Sequence, residues 1–210
     1  MSDEIRYIIE GTTPATTGNL IKTALFYLRA SQTTGGTTEK TDLVDKKIEA
    51  KHLIALAEEK HLWFTDIDPG AYIAEGAEQK VYLSPDGRSV LKTNDTIFYA
   101  TWEDYFISLL IHNFLFPATA YELMGFRQEN SVLYAVVRQP FINSTEPIDL
   151  HSLRLFLEHN GFRHKKNNDF YHPELGIILE DLHDENVLVN QGVFFFIDSA
   201  IYLIDPRTGS

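Results

Sequence analysis

Cysteine is absent from the 210-residue chain, and methionine and tryptophan occur only twice each. Without cysteine the chain has no disulfide, no thiolate nucleophile and no cysteine-ligated zinc site. Basic residues are also scarce, since 18 Lys and Arg stand against 30 Asp and Glu, for a net charge of −12. This balance argues against nucleic acid as the main partner, because binding a phosphate backbone needs clustered cations.

Long apolar runs are missing as well. The longest, Tyr105 to Phe116, is interrupted by polar residues and is too short to span a bilayer. The first residues, Met-Ser-Asp-Glu-Ile-Arg, do not have the basic and then apolar order of a signal peptide. We therefore expect a soluble, cytoplasmic protein with no membrane partner.

Several enzyme motifs are missing too. Neither the Gly-x-Ser-x-Gly of serine hydrolases nor the Gly-Lys-Ser/Thr of P-loop enzymes occurs. Three histidines lie in polar segments, His164, His172 and His183, and none belongs to a His-x-x-x-His pair. The sequence gives no support to a hydrolase of that type, a P-loop enzyme or a zinc site.

Residues 1–70 are predicted to form a helical accessory region with a flexible linker. Apolar spacing predicts one helix from Leu20 to Ala30 and another from Thr41 or Asp42 to about Glu59. Thr, Pro and Gly are frequent in Gly11 to Asn19 and in Ser31 to Thr41, which are predicted to be loop and linker. The second helix is expected to face the core with Val44, Ile48, Leu53 and Leu56.

From Ala71 onward the pattern predicts an antiparallel sheet. Residues 72–83 read as strand, tight turn at Gly76 and strand, and a turn from Ser84 to Gly87 leads to a third strand, Arg88 to Lys92. Two more strands are predicted at Leu123 to Phe126 and Val132 to Gln139, joined by the polar turn Arg127 to Ser131.

One long helix is predicted between the third and fourth strands. It starts near Thr96, capped by Asn94 or Asp95, or at Trp102, because Thr101 and Asp104 can form a capping box. A further helix, capped by Thr145 or Asp149, is predicted to run to about His159 and to end at Asn160-Gly161. Arg163 to Asn168 is predicted to be a basic, polar loop.

The stretch from Gly176 to Asp198 carries the strongest chemical pattern. An acidic loop, Glu180 to Asn186, precedes two short strands joined by the hairpin turn Asn190-Gln191-Gly192. The hairpin is expected to place Asn186 beside Asp198, with Asp181 on the same rim. One carboxylate and one amide oxygen suit magnesium, which keeps water and phosphate as its other ligands. An acidic loop ending in Asn is also common on surfaces, so the pattern needs support from other segments.

Several separate blocks supply that support. They are Ile73 to Tyr82, Trp102 to Tyr105, Phe116-Pro117, Tyr121 to Phe126, Tyr134 to Phe141 and Leu175 to Leu188. Together these blocks resemble the kinase domains of bacterial polyvalent proteins, which are associated with phage and conjugative elements, over about residues 45–205. The catalytic loop is also similar to that of aminoglycoside-type phosphotransferases.

The resemblance implies an α+β, protein-kinase-like fold. Residues 71–139 would form an N-lobe with a five-stranded antiparallel sheet and one long helix, and residues 140–210 a reduced, mainly helical C-lobe carrying the catalytic-loop hairpin. It also implies ATP and magnesium as cofactors. In that family the roles fall on Asp181 as base, Lys92 on the phosphates, Glu103 (or Asp104) orienting Lys92, Asn186 and Asp198 on metal, and Gly76, Val81, Gln139 and Phe141 on the nucleotide.

Three departures from protein kinases bear on function. Leu179-Glu180 replaces His-Arg before Asp181, and Ser199-Ala200 replaces Phe-Gly after Asp198. Only 12 residues follow Asp198, which leaves no activation segment in this sequence. We predict a minimal ATP- and magnesium-dependent phosphotransferase with an unknown protein or small-molecule acceptor. The alternatives are a pseudokinase that binds nucleotide or a partner, and a toxin or immunity partner of a mobile element.

Overall fold

The computed structural model describes residues 2–10, 19–32, 42–76 and 79–204. Within these ranges the helices are α1 (Asp3–Glu10), α2 (Leu20–Gln32), α3 (Asp42–Lys60), α4 (Trp102–Leu115) and α5 (Leu150–His159). The first strands are β1 (Tyr72–Glu75), β2 (Gln79–Leu83), β3 (Ser89–Asn94), β4 (Glu122–Glu129) and β5 (Val132–Pro140). The later strands are β6 (Arg163–Lys166), β7 (Asp169–His172), β8 (Ile177–Glu180), β9 (Val187–Asn190), β10 (Val193–Phe196) and β11 (Ala200–Leu203).

The chain divides into two compact units, and the division falls within α4. The five-stranded unit comprises residues 12–107 and 121–141, and the hairpin unit comprises residues 1–11, 108–120 and 142–210. The division at residues 70 and 139 that the sequence predicts stays a prediction. The predicted loop and linker, and Thr41 as a possible helix cap, lie largely outside the described residues.

The five-stranded unit is built on an antiparallel sheet with the order β1-β2-β3-β5-β4. All five strands predicted from the sequence are present, and β4 and β5 extend further than expected. Their connection is a turn of two residues, Asn130 and Ser131, with φ of 49° and 66°. Because such a turn matches the twist of paired strands, the pairing continues through Arg127 to Glu129, which the sequence had assigned to the turn.

Helices α2 and α3 pack against each other and against β4. The predicted apolar face of α2 is buried at Ala24, Leu25 and Leu28. In α3 the prediction is confirmed at Leu53 and Leu56 and is wrong at Ile48, which is 44% exposed. The buried face passes through Glu49, one position round the helix from Ile48. The side chain of Val44 lies outside the described part of the chain.

Helix α4 begins at Trp102, so the predicted start at Thr96 is wrong and the alternative is confirmed. The side chains of Asn94 and Asp95 accept hydrogen bonds from the N–H groups of Thr96 and Ile97 and form local turns there. The capping box is present, with Asp104 N donating to Thr101 Oγ1 (3.0 Å) and Thr101 Oγ1 donating to Asp104 Oδ2 (2.7 Å). The helix therefore starts where its first N–H groups find acceptors.

A glycine in β4 lets the preceding loop approach the sheet. Gly125 has φ of +148°, and it lies at an irregularity in the pairing of β4 with β5. The loop is held by Phe126 N donating to Leu62 O (2.8 Å) and by Phe64 N donating to Phe126 O (2.7 Å). A Cβ at position 125 would lie 2.2 Å from Leu62 O, so only glycine fits.

The hairpin unit holds a four-stranded sheet, β11-β8-β7-β6, and the separate pair β10-β9. The predicted mainly helical character is wrong, because in the described part of residues 142–204 the only α-helix is α5. Its predicted cap is confirmed at Asp149, whose side chain accepts from His151 N and Ser152 N. The predicted loop from Arg163 to Asn168 is wrong as well, since β6 occupies its first four residues.

Two further helices contribute to the hairpin unit. Helix α1, which the sequence analysis did not predict, buries Ile5 and Ile9. The C-terminal half of α4 is tied to β11 by Ile201 N donating to Ser108 Oγ (3.1 Å). No helix in the described ranges combines the length and the apolar character that crossing a membrane requires.

Candidate functional site

The loop after β8 is held in an unusual backbone conformation at its first residue. Asp181 has φ of +64°, a left-handed conformation that Asp and Asn tolerate better than other side-chain-bearing residues. Its N–H donates to Asp169 Oδ1 (3.3 Å), and the next N–H, of Leu182, donates to Asn168 O (3.3 Å). Leu182 is buried. The turn between β6 and β7 thus anchors the loop and leaves the Asp181 side chain exposed.

Asn186 ends this loop and joins it to the predicted hairpin. Its Nδ2 donates to Asp181 O (2.8 Å) and to Asp181 Oδ2 (3.1 Å). Its carbonyl accepts from Ile197 N (2.9 Å) and Asp198 N (3.3 Å). The hairpin turn itself is confirmed, although positive φ occurs at Gln191 and Gly192 and not at Asn190. The structure therefore brings together Asp181, Asn186 and Asp198, as the sequence predicted.

His183 belongs to the same hydrogen-bond network. Its Nδ1 accepts from Glu185 N (3.2 Å), which places the ring proton on Nε2 in the neutral form. Nε2 lies 3.3 Å from Asp181 Oδ1 and can donate to it. His183 therefore helps to orient the Asp181 carboxylate.

The donor atoms of this cluster suit a hard cation. Within the described residues the Asn186 side chain donates from Nδ2 to Asp181 O and Oδ2, and no hydrogen bond reaches Oδ1, which leaves its lone pairs for a metal. Asp198, whose N–H donates to the Asn186 carbonyl, carries a carboxylate on the adjoining strand end. No group of three or more His, Asp or Glu side chains that could hold a metal is found in the described ranges. A one-carboxylate, one-amide set instead fits magnesium, which takes few protein ligands.

The candidate lysine lies in the middle of the five-stranded sheet. Lys92 on β3 is directly opposite Val81 on β2 and Val137 on β5. Its side chain is buried, and Nζ lies 5.6 Å from the centre of the Tyr121 ring, within the range of a cation–π interaction. Two predicted nucleotide residues, Lys92 and Val81, are therefore cross-strand neighbours.

The other predicted nucleotide residues lie at the ends of the strands. Gly76 N donates to Gln79 O (2.8 Å) and so closes the turn between β1 and β2, whose residues 77 and 78 lie outside the described part. Gln139 is buried in β5. Phe141 N donates to Arg88 O (2.9 Å), which removes that N–H from the donors that could bind an adenine ring. The side chain of Phe141 is 44% exposed.

Glu103 has a partner that the sequence did not predict. In the first turn of α4, its Oε1 accepts from Arg29 Nε on α2 at 2.8 Å. Both side chains are partly exposed. The expected pairing of Glu103 with Lys92 stays a prediction. The alternative candidate, Asp104, is engaged in the capping box with Thr101.

Helix α3 adds two buried polar contacts at the start of α4. Glu49 Oε2 accepts from Trp102 N (2.7 Å), and Lys46 Nζ donates to the carbonyls of Tyr99 (2.9 Å) and Thr96. Burial raises the pKa of Glu49 from 4.5 to about 7, against the hydrogen bond from Trp102, and the nearby Glu103 and Asp104 add to the rise. Helices α2 and α3 thus hold the turn of α4 that carries Glu103.

The comparison with protein families shows which family this chain belongs to. The family model of serine/threonine/tyrosine kinases found in polyvalent proteins matches residues 46–205. The chain belongs to this kinase family. No curated protein matches the chain. Kinase-like function and transferase chemistry follow from the family, and the match includes every candidate site residue named above.

Some residues that support the kinase site carried no signal in the sequence. Asn168, whose carbonyl accepts from Leu182 N, ends the polar stretch that the sequence had assigned to a loop, and Asp169, whose side chain accepts from Asp181 N, directly follows it. Arg29 is 74 positions from Glu103 and lies before the family match. The spacing of apolar residues along the sequence cannot predict these contacts, because each contact depends on the tertiary fold.

Glu49 makes the stability of this kinase depend on pH. A folded-state pKa of about 7 against 4.5 means that, as the pH rises, the carboxyl of residue 49 loses its proton in the unfolded chain before it does so in the folded chain. The contribution of Glu49 to the free energy of unfolding is therefore largest below pH 4.5 and falls as the pH rises to 7. We expect Glu49→Gln, which can still accept from Trp102 N, to raise the midpoint of thermal unfolding at pH 8 and not at pH 4.5. At roughly 1.4 kcal/mol per pKa unit, the gain is up to about 3 kcal/mol.

Thermal unfolding of the two proteins at both pH values measures this effect. Glu59→Gln on the exposed end of α3 is the matched control, because Glu59 forms an ion pair only with its neighbour Lys60. An equal gain from Glu49→Gln at both pH values would contradict the raised pKa.

Proposed function

We propose that this chain is an ATP- and magnesium-dependent phosphotransferase. The observation that carries the proposal is the double hydrogen bond from Asn186 Nδ2 to Asp181 O and Oδ2, with Asp198 N on the carbonyl of the same Asn186. This arrangement orients one carboxylate as a base and joins the backbone of Asp198, which carries a second carboxylate, to the residue that offers an amide oxygen. These are the groups that kinase-type phosphoryl transfer uses.

The proposed reaction needs little covalent chemistry from the protein. Asp181 accepts the proton of the acceptor hydroxyl while the hydroxyl oxygen bonds to the γ-phosphorus of ATP. The bond from that phosphorus to the β–γ bridging oxygen breaks, and ADP leaves. Asn186 Oδ1 and the Asp198 carboxylate would hold magnesium, which neutralises charge on the phosphates. Lys92 would bind the phosphates, with Glu103 orienting it.

The family description supports a chemical class for the proposed acceptor. The family description names serine, threonine and tyrosine, so the acceptor proposed here is a protein hydroxyl.

The pseudokinase alternative makes the same nucleotide contacts without transfer. The contacts of Asn186 Nδ2 and His183 Nε2 with the Asp181 carboxylate support the enzyme, because they orient the group that would accept the proton.

Nucleotide binding is tested by thermal unfolding. We expect millimolar Mg-ATP to raise the unfolding midpoint by about 3–10 °C, since ligand at 10 to 100 times its Kd adds about 1.4–2.7 kcal/mol. EDTA should remove most of the rise. Asp198→Asn should reduce it, because the variant loses the one carboxylate proposed for the metal.

Asp184→Asn is the matched control for this experiment. Asp184 lies in the same loop, is exposed and has no proposed role at the metal. No rise with Mg-ATP in the unchanged protein would refute the proposal. A rise without transfer of phosphate to protein, peptide or water would favour the pseudokinase.

A further inference from the structure

One surface of the hairpin unit differs in charge from the rest of the acidic chain. Strand β6 has the sequence Arg-His-Lys-Lys, and all four side chains are exposed. Arg163, Lys165 and Lys166 form no ion pair within the part of the chain that the structure describes. In a chain with a net charge of −12, three adjacent cations with no anionic partner are available to an external anion.

This basic strand is also the edge of its sheet. Among the described strands the order is β11-β8-β7-β6, so one side of β6 has no strand partner. An edge strand presents N–H and C=O groups that an extended peptide can pair with, whereas a nucleic acid cannot continue the sheet. The pairing of β6 with β7 is irregular between His164 and Lys166, so Lys165 has no direct partner in β7.

The strand is connected to the loop of Asp181 through one residue. Lys166 is the cross-strand neighbour of Asp169, whose Oδ1 accepts from Asp181 N. The turn between β6 and β7 also binds the loop through Asn168 O and Leu182 N. A peptide added along β6 would therefore lie next to the turn that anchors the loop of Asp181.

We infer that β6 is the docking strand for the acceptor, and that the acceptor is an extended, acidic protein segment. The inference rests on the proposed function, because it assigns a substrate class to that same site. Asp or Glu residues of the segment would pair with Arg163, Lys165 and Lys166. Its backbone would extend the sheet along β6, and the part of the segment that continues past the turn between β6 and β7 would carry the hydroxyl to Asp181.

Peptide binding tests the inference without nucleotide and without turnover. The probe is a fluorescein-labelled peptide with one central Ser flanked by Glu residues, and its binding to the full chain is followed by anisotropy at low salt. We expect Lys165→Gln/Lys166→Gln to weaken binding about 2- to 30-fold, since each exposed pair contributes about 0.2–1 kcal/mol. Lys47→Gln/Lys51→Gln, which removes two exposed lysines of α3, should leave the affinity unchanged.

Three further probes separate the alternatives. A peptide with Gln in place of Glu should bind more weakly, and equal binding would overturn the charge complementarity. The Glu peptide methylated at alternate backbone nitrogens should also bind more weakly, and equal binding would overturn strand addition. A single-stranded oligonucleotide that binds more tightly than the Glu peptide, and loses affinity in the same variant, would overturn the protein acceptor in favour of nucleic acid.

The outcome is independent of the nucleotide experiment. Peptide binding that depends on Lys165 and Lys166, together with no thermal shift from Mg-ATP, would support the docking strand and refute the phosphotransferase. A thermal shift from Mg-ATP together with no affinity for the Glu peptide would support the phosphotransferase and refute the docking strand.

Discussion

Asp181→Asn is expected to lower the rate of phosphate transfer from Mg-ATP by about 10²- to 10⁴-fold, because an amide cannot accept the hydroxyl proton. Asn at position 181 is compatible with the backbone conformation and the backbone hydrogen bond found there. Asn tolerates the φ of +64° at this position, and the hydrogen bond from Asn186 Nδ2 to the carbonyl of residue 181 does not involve the side chain. A fall in rate would therefore report chemistry and not unfolding.

The measurement is transfer of the γ-phosphate to the chain itself, to added peptide or to water. The thermal shift with Mg-ATP should persist in Asp181→Asn, since the proposed metal ligands Asn186 and Asp198 remain. Asp184→Asn again provides the control with a nearby carboxylate. A variant at position 181 that keeps most of the activity would exclude Asp181 as the base.

Gly125→Ala should produce the largest loss of stability among single substitutions of this chain that we consider. The new Cβ would lie 2.2 Å from Leu62 O, and Ala would also have to adopt φ of +148°. Relief requires the loop to move away from β4, which breaks the hydrogen bonds of Leu62 and Phe64 to Phe126. We expect a loss of about 3 kcal/mol or more, which corresponds to a midpoint about 6–12 °C lower.

Gly87→Ala is the matched control. Gly87 also has positive φ, of +65°, but an added Cβ there would have no heavy atom within 4 Å. Its cost should be about 1 kcal/mol, from the backbone conformation alone. Chemical or thermal unfolding of both variants compares the two costs, and equal losses would show that the approach of Leu62 is unimportant.

The parts of the fold that the sequence predicted are those with local signals. Turn residues Gln191-Gly192, the cap at Asp149 and the box of Thr101 with Asp104 each act within a few positions, and each is present. The proximity of the candidate residues Asn186 and Asp198 was also predictable, because one short hairpin brings the two ends of its strands together. Asp181 lies near them because it begins the short loop that precedes the hairpin.

The parts that the sequence missed lack such signals. Strand β6 has four exposed side chains, so it shows no alternation of apolar and polar residues from which a strand could be predicted. The start of α4 had two candidate caps, and the choice depended on Lys46 and Glu49 from another helix. The partner of Glu103 is likewise set by the packing of α2 on β4, which no local pattern encodes.

The ion pair between Arg29 and Glu103 has a practical consequence for anyone who shortens this protein. A version trimmed to the family boundary at residue 46 would discard α2 and with it the guanidinium that holds Glu103. It would also expose the apolar surface of α3 and β4 that α2 covers. Activity measured on such a trimmed protein would describe a chain that lacks the contact of Arg29 with Glu103.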